Sequence, residues 1–78
     1  MTEQEFLQNM DELFEVPAGT LKIPDKFRDL DNWDSLKLLT LIALLDEKYG
    51  VTLDLERFTS SKTLADIFAI IEAAKRSD

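Results

Sequence analysis

The sequence contains no cysteine and no histidine. Without cysteine there is no disulfide framework and no thiolate metal site, and without histidine the commonest general base and metal ligand are missing. Glycine and proline are also scarce, with only two residues of each in the 78-residue chain. A chain of this length forms one domain, so we expect residues 1–78 to fold as a single unit that performs no catalysis of its own.

Long apolar runs and an excess of basic residues are absent as well. No segment is apolar over the length that spans a bilayer, and the N-terminus lacks the charged and then apolar pattern of a signal peptide. Nine lysines and arginines stand against sixteen aspartates and glutamates, which gives a net charge of −7. We therefore expect a cytoplasmic protein that binds no nucleic acid and is not stably inserted in a membrane. The acidity favours basic protein surfaces as partners, although it would also serve solubility alone.

Apolar residues recur with helical spacing along the chain, and no segment alternates with period two. Thr2 and Glu5 have the spacing of a capping box ahead of a first helix. The apolar stripe of this helix consists of Phe6, Met10, Leu13 and Phe14. Residues 15–33 are predicted to form a long connection, since Pro17 and Gly19 end the helix. The residues expected to anchor this connection are Leu21, Ile23, Phe27 and Leu30.

The second half of the chain contains three further helix patterns. Asp34 is predicted to cap a helix that runs to about Tyr49, where Gly50 lets the chain leave it. A short helical turn is expected around Leu53–Phe58, and a last helix after the capping sequence Thr63-Leu64-Ala65-Asp66. The apolar stripe of the last helix, which ends near Ala74, consists of Leu64, Ile67, Phe68 and Ile71. Together these patterns predict an all-α fold, a small four-helix bundle of three main helices and one short helix with a long loop between helices 1 and 2.

The second helix carries more apolar positions than one core-facing side requires. At about 100° per residue, the residues on one arc are Leu38, Ile42, Leu45 and Tyr49, with Leu41 beside them. A second apolar strip, rotated by more than a quarter turn, consists of Leu36, Leu39 and Ala43, and Leu44 adds a third apolar position. Either the helix is central and buried on both sides, or the second strip is exposed and binds partners.

Ser35 is the first residue of this helix, between the expected cap Asp34 and Leu36. Helix starts leave N–H groups unpaired and carry the positive end of the helix dipole, so a phosphate-linked group on Ser35 would be favourably placed. A serine beside a cap is also an ordinary structural feature. Because no histidine is present to activate Ser35 as a nucleophile, any chemistry there requires that another enzyme modify it.

One metal-binding pattern can be considered and set aside. Asp29-Leu30-Asp31 resembles the start of a calcium loop. Trp33, Asp34 and Thr40 then occupy the positions of the next ligand, the glycine and the closing glutamate. We therefore expect no metal site and interpret these acids as solvated turn residues and caps.

The triplet Asp34-Ser35-Leu36 at the start of an apolar helix resembles the acyl carrier protein family, the phosphopantetheine-dependent carrier domains. The resemblance covers nearly the whole chain. It includes the first helix, the long loop, the second helix ending in Glu47-Lys48-Tyr49-Gly50-Val51, and the last helix after Thr63-Leu64. It implies that residues 1–78 are a single, free-standing acyl carrier domain, and we expect a monomer.

The resemblance implies a carrier that separate enzymes modify and use. A phosphopantetheinyl transferase would attach 4′-phosphopantetheine from coenzyme A to Ser35 in a magnesium-dependent step, with Asp34 assisting. The thiol of the arm would then hold acyl groups as thioesters, which an acyl-loading ligase or acyltransferase supplies and synthase enzymes use. The family's interior can also receive an acyl chain. The residues implied in binding the transferase or other partners are Asp34, Leu36, Lys37, Leu39, Thr40, Ala43, Asp46 and Glu47.

Three positions depart from the family's usual pattern. Fatty-acid carriers usually have acids at the positions of Lys37 and Thr40 and a small residue at that of Trp33. The bulky Trp33 would shield the arm, contact a particular partner or anchor the loop. We expect a specialised carrier in fatty-acid, polyketide or related lipid or secondary-metabolite biosynthesis. The alternative is an aminoacyl or peptidyl carrier of a nonribosomal or D-alanyl-type pathway, although Asp31-Asn32-Trp33-Asp34 lacks the Gly-Gly typical of peptidyl carriers.

Two hypotheses from other classes remain open. A helical interaction module without a cofactor would use the second strip to bind a partner, and Ser35→Ala would then have no effect. A small enzyme would use a carboxylate pair, either Asp29 with Asp31 or Asp46 with Glu47. Adjacent acids on a helix surface point apart, which argues against this hypothesis. It predicts turnover by the purified protein alone.

Overall fold

The computed structural model describes residues 2–76, which form four α-helices. They are α1 (Glu3–Leu13), α2 (Ser35–Tyr49), α3 (Leu55–Thr59) and α4 (Leu64–Arg76). A 3-10 turn, Phe27–Asp29, lies in the loop between α1 and α2. No strand occurs among the described residues, although an isolated antiparallel bridge joins Lys26 and Thr63. The predicted all-α architecture of three main helices and one short helix is confirmed. None of the helices in residues 2–76 is both long and apolar enough to cross a bilayer.

Local capping explains where the outer helices start. The Thr2 hydroxyl accepts a hydrogen bond from the Glu5 N–H at 3.1 Å, which confirms the predicted cap of α1. At α4 the box is reciprocal. The Thr63 hydroxyl accepts from the Asp66 N–H at 3.3 Å, and the Asp66 carboxylate accepts from the N–H groups of Lys62 and Thr63 at 2.8 and 3.1 Å. These backbone hydrogen bonds lower the pKa of Asp66.

The C-terminal end of α2 and the start of α3 are also determined by residues next to them in the sequence. Gly50 adopts a left-handed conformation with φ 64°, which ends α2 at the predicted position. The predicted start of the short helix at Leu53 is wrong by two residues. The Asp54 carboxylate accepts from the Arg57 N–H at 3.2 Å, so Asp54 caps the helix and Leu55 is its first residue.

The core is built from all four helices, with the predicted stripe of α1 fully in it. On α4 the stripe is buried as predicted except for Phe68, which is half-buried, and Ile70 adds a buried position that the pattern missed. The prediction for α2 needs correction. The fully buried residues are Leu41 and Leu45, whereas the rest of the predicted arc (Leu38, Ile42 and Tyr49) is half-buried at its edges.

The loop of residues 15–33 is pinned by side chains and by the start of α4. Its predicted anchors Leu21 and Phe27 are buried, and Ile23 and Leu30 are half-buried. The buried carboxylate of Asp11 in α1 accepts N–H bonds from Gly19 and Leu21, both at 2.9 Å. The loop carbonyls of Asp25 and Ile23 accept from the first two N–H groups of α4, those of Leu64 and Ala65. The long loop is therefore part of the folded scaffold and holds the start of α2 in place.

Candidate functional site

Ser35 is the first residue of α2 and is exposed, as the sequence predicted for this position in the helix. The cap is Asp34, whose carboxylate accepts from the Lys37 N–H at 2.8 Å while its carbonyl accepts from the Leu38 N–H at 3.1 Å. Within the described part of the chain, no group accepts from the N–H of Ser35 or Leu36. Two backbone donors and the positive end of the helix dipole are thus free to meet an anion attached at Ser35.

The surroundings of the Ser35 hydroxyl suit a site of modification. Among residues 2–76, no carboxylate, amine or amide is hydrogen-bonded to this hydroxyl, so none of the described residues acts as a base on it. Its exposure leaves it accessible to the active site of another enzyme. The free donors next to it fit a phosphodiester better than a neutral group, because they stabilise negative charge.

The second apolar strip of α2 lies on the surface. Leu36 and Leu39 are 69% and 63% exposed, and Ala43 is exposed as well. Thr40 stands beside this strip, with its hydroxyl bonded to the Leu36 carbonyl at 3.0 Å. One turn further on, the acids Asp46 and Glu47 are exposed. Of the two arrangements that the sequence allowed, burial on both sides is therefore wrong. The strip is open to solvent, whereas Leu44, the third apolar position, is half-buried.

Lys37 points away from this strip toward the end of α1. Its ammonium donates to the Leu13 carbonyl at 3.0 Å and pairs with the Glu15 carboxylate at 3.0 Å, and its side chain is only 18% exposed. Glu15 adopts a positive φ of 59° just after α1, where the Val16 N–H donates to the Asp11 carbonyl at 3.0 Å and the Glu15 N–H donates to the Glu12 carbonyl at 3.1 Å, the pattern of a Schellman motif. The assignment of Lys37 to partner contact does not match this geometry, because its charge is used inside the molecule. The sequence carried no signal of this contact, since the two residues lie 22 positions apart.

Trp33 anchors the loop, one of the roles that the sequence left open. The side chain is half-buried, and its ring centroid lies 6.0 Å from Phe14, 5.0 Å from Phe27 and 5.9 Å from Phe58. The preceding residue, Asn32, donates from its side-chain amide to the Phe14 carbonyl at 2.6 Å. These contacts join α1, the 3-10 turn and α3 directly before the cap of α2.

The fold and the site define a small helical bundle in which an exposed serine opens a capped helix, with no base among residues 2–76 hydrogen-bonded to its hydroxyl. A family model described as "Phosphopantetheine attachment site" matches residues 4–71. An acyl carrier protein of Helicobacter hepaticus is 34% identical over 64 residues, which span 82% of this chain and 84% of the relative. The solution NMR structure of the holo acyl carrier protein from Geobacter metallireducens has a TM-score of 0.79 at 22% identity, with 99% of this chain and 90% of that chain covered.

The chain therefore belongs to the acyl carrier protein family. The resemblance drawn from the sequence and the predicted cofactor, covalently attached 4′-phosphopantetheine, are confirmed. Proteins of this family are carriers of acyl groups, on which separate enzymes act. The attachment residue, the surface that partners bind and the pathway stay predictions.

Proposed function

We propose that Ser35 carries the phosphopantetheine arm and that the protein transports acyl intermediates among the enzymes of a biosynthetic pathway. The observation that carries this proposal is the exposed hydroxyl of Ser35 beside two unpaired N–H groups at the start of α2. In the attachment step, Ser35 Oγ forms the new bond to phosphorus, the pyrophosphate bond of coenzyme A breaks, and adenosine 3′,5′-bisphosphate leaves. The proton of the hydroxyl passes to the transferase, because no described residue of this chain is bonded to it.

Asp34 has a double role in this proposal. One carboxylate oxygen holds the helix start through the Lys37 N–H at 2.8 Å, so Ser35 is presented on a fixed turn. The other oxygen has no hydrogen-bond partner among the described residues. Carboxylate oxygens are the ligands that magnesium prefers, so this oxygen suits the magnesium-dependent transfer step.

The exposed strip of α2 is the surface that we propose for partners. Leu36, Leu39 and Ala43 supply apolar contact area, Thr40 adds a polar group, and Asp46 and Glu47 supply charge for basic partners. A small interface of this kind favours fast association with modest affinity, which suits a carrier that visits several enzymes. The partners are a phosphopantetheinyl transferase, an acyl-loading ligase or acyltransferase, and synthase enzymes. Lys37 and Trp33 do not belong to this surface, because both are engaged in internal contacts.

The pathway that fits best is specialised lipid, fatty-acid or polyketide biosynthesis in the cytoplasm. The proposed surface has threonine at one of the two positions where fatty-acid carriers usually have acids, and the lysine at the other is paired with Glu15. The surface near Ser35 is therefore less acidic than that of a typical fatty-acid carrier. The cargo found by mass spectrometry on protein isolated from its own cells would identify the pathway, and an aminoacyl cargo would favour the nonribosomal or D-alanyl alternative.

Intact-protein mass spectrometry tests the attachment residue. The parent protein is incubated with coenzyme A, magnesium and a broad-specificity phosphopantetheinyl transferase, and it should gain one phosphopantetheine group. Ser35→Ala should gain none. Ser60→Ala is the matched control, since Ser60 is also exposed and follows a helix, and it should be modified like the parent. A parent that stays unmodified while folded, or a modified Ser35→Ala protein, would contradict the proposal and favour the cofactor-free interaction module or another attachment residue.

A further inference from the structure

Trp33 is the only tryptophan of the chain and lies two residues before Ser35, the proposed attachment residue. Its indole is held on three sides by rings from different elements. Phe14 belongs to the end of α1, Phe27 to the 3-10 turn and Phe58 to α3, and their centroids lie 5.0–6.0 Å away. The half-buried indole thus packs against the core at the junction of α1, the loop and α3, directly before the start of α2.

Arg28 holds together the two rings, Phe27 and Phe58, against which the indole packs. The guanidinium of Arg28 lies 5.0 Å from the ring centroids of both Phe27 and Phe58, within cation–π distance. The same guanidinium donates to the carbonyls of Phe58 and Ser61 at 2.9 and 3.0 Å. The two rings are in contact with each other at 5.4 Å. Separating the two rings would therefore break their mutual contact and pull Arg28 away from either Phe27 or the Phe58–Ser61 segment.

The backbone on either side of Trp33 is also fixed. The N–H of Trp33 donates to the Leu30 carbonyl at 3.1 Å, and the side chain of Asn32 donates to the Phe14 carbonyl at 2.6 Å. On the other side, Asp34 is the N-cap of α2. These hydrogen bonds hold the backbone that carries the indole in place beside the three rings.

An alkyl chain tethered at Ser35 would lower its free energy by leaving water. To enter the interior beside the start of α2, it would have to displace the indole of Trp33, which already packs against three rings. Such an exchange buries one apolar group but exposes another, so the net gain in free energy is small. We propose that Trp33 is a specificity-determining residue that bars the acyl chain from the interior and suits the carrier to short or polar acyl cargo. This inference rests on Ser35 being the attachment residue.

A long acyl chain would also have no favourable binding place on the surface of the protein. The apolar surface next to Ser35 consists of Leu36 and Leu39, which are the most exposed leucines of the described chain. A chain lying there would cover the strip that we propose for partners, and loading would then compete with binding. A short or polar acyl group avoids both problems, because it has little apolar area to bury.

The test compares two cargoes on the same protein. A transferase loads the parent with acetyl- or octanoyl-phosphopantetheine from the corresponding acyl-coenzyme A, and intact mass verifies the loading. Because Trp33 is the single tryptophan, its emission and its quenching by acrylamide report on this residue alone. We expect the two loaded forms of the parent to have the same melting midpoint, the same emission and the same quenching.

Smaller side chains at Trp33 should make room for the acyl chain. In Trp33→Leu the octanoyl form should melt about 4 °C or more above the acetyl form, because the chain now has a space to enter. Trp33→Phe, a smaller change, should show the same effect to a lesser degree. Phe68→Leu is the matched control, since it trims a half-buried ring in a separate pair with Phe6, and it should behave like the parent.

Several outcomes would overturn the inference. The octanoyl form of the parent could melt higher than the acetyl form, or its tryptophan emission could change. The inference also fails if neither Trp33 variant gains stability from the longer chain. If Trp33→Leu does not fold, the comparison of the two loaded forms in the parent and in Trp33→Phe still tests the inference. An unchanged mass after incubation has a different meaning, since it contradicts Ser35 as the attachment residue.

Discussion

Two neighbouring regions of this protein are built in opposite ways. The segment before α2 has its large side chains packed and its polar groups bonded, as the ring contacts of Trp33 and the bonds of Asp11 and Arg28 show. The outer face of α2 has its leucines in solvent instead, with Leu36 69% exposed. The boundary between the two regions is the cap residue Asp34. A carrier needs both, because its attachment residue must be accessible while the backbone beneath it stays fixed.

Lys37 shows that packed and exposed side chains also lie on different faces of α2 itself. It lies between the exposed residues Leu36 and Leu39 in sequence, but its side chain belongs to the packed region through Leu13 and Glu15. A helix places successive residues about 100° apart, so neighbours in sequence contact different surroundings. The basic side chain of Lys37, two positions after Ser35, is thus removed from the surface that we propose for partners.

The largest effect is expected from breaking the packed region at Phe27. This side chain is fully buried and contacts the rings of Trp33 and Phe58. Phe27→Ala should lower the free energy of unfolding by about 3–5 kcal/mol, because it leaves a cavity among the rings. Urea unfolding followed by circular dichroism measures this. Leu36→Ala, on the open face, is the control and should change stability by less than about 0.5 kcal/mol. Equal losses in the two variants would contradict the comparison.

A smaller loss is expected from Asp11. Its carboxylate accepts from the N–H groups of Gly19 and Leu21 and is buried. Asp11→Ala should cost about 1–3 kcal/mol in the same unfolding measurement, because two donors then lack their acceptor. The neighbouring Glu12→Ala removes an exposed carboxylate and should have little effect. A loop that keeps its amide hydrogen-exchange protection in Asp11→Ala would show that these bonds do not hold it.

The stability of the α4 start should depend on pH. Hydrogen bonds from Lys62 and Thr63 lower the pKa of Asp66 below its usual value of 3.8. The charged form is therefore favoured in the folded state, so its contribution is fully present above that value and disappears as the pH falls through the lowered pKa. Because Asp66 is exposed and its charge is screened by solvent, Asp66→Asn should cost no more than about 0.5 kcal/mol at neutral pH, and the difference from the parent should vanish in strong acid. A difference of the same size at both pH values would contradict this account.

Substitutions on the exposed face of α2 should have the smallest effect on stability. They should have the largest effect on partner binding. Leu39→Gln should leave the free energy of unfolding within about 0.5 kcal/mol of the parent, because Leu39 is 63% exposed. The rate of transferase-catalysed modification of Ser35 should fall several-fold, since an apolar contact is lost. Ala69→Gln, on the exposed side of α4, is the control and should be modified like the parent. An unchanged rate in Leu39→Gln would place the docking surface elsewhere.

Features that depend on a few neighbouring residues could be predicted from the sequence. The caps at Thr2, Asp34 and Thr63 and the end of α2 at Gly50 are confirmed, because each depends on residues within one turn. The helix count and the family followed from spacing and from the Asp34-Ser35-Leu36 triplet. The two-residue error at α3 arose because a five-residue helix has too few positions for a periodic pattern.

The sequence by itself determined the three main helices with their caps, the family and the position of Ser35 at a helix start, since all of these follow from local periodicity and motif. The tertiary structure alone decided which apolar strip of α2 is buried, where the charge of Lys37 lies and what Trp33 contacts. The physical reason is separation along the chain. The rings of Phe27 and Phe58 and the carboxylate of Glu15 reach these side chains only after folding, and local spacing contains no record of such contacts.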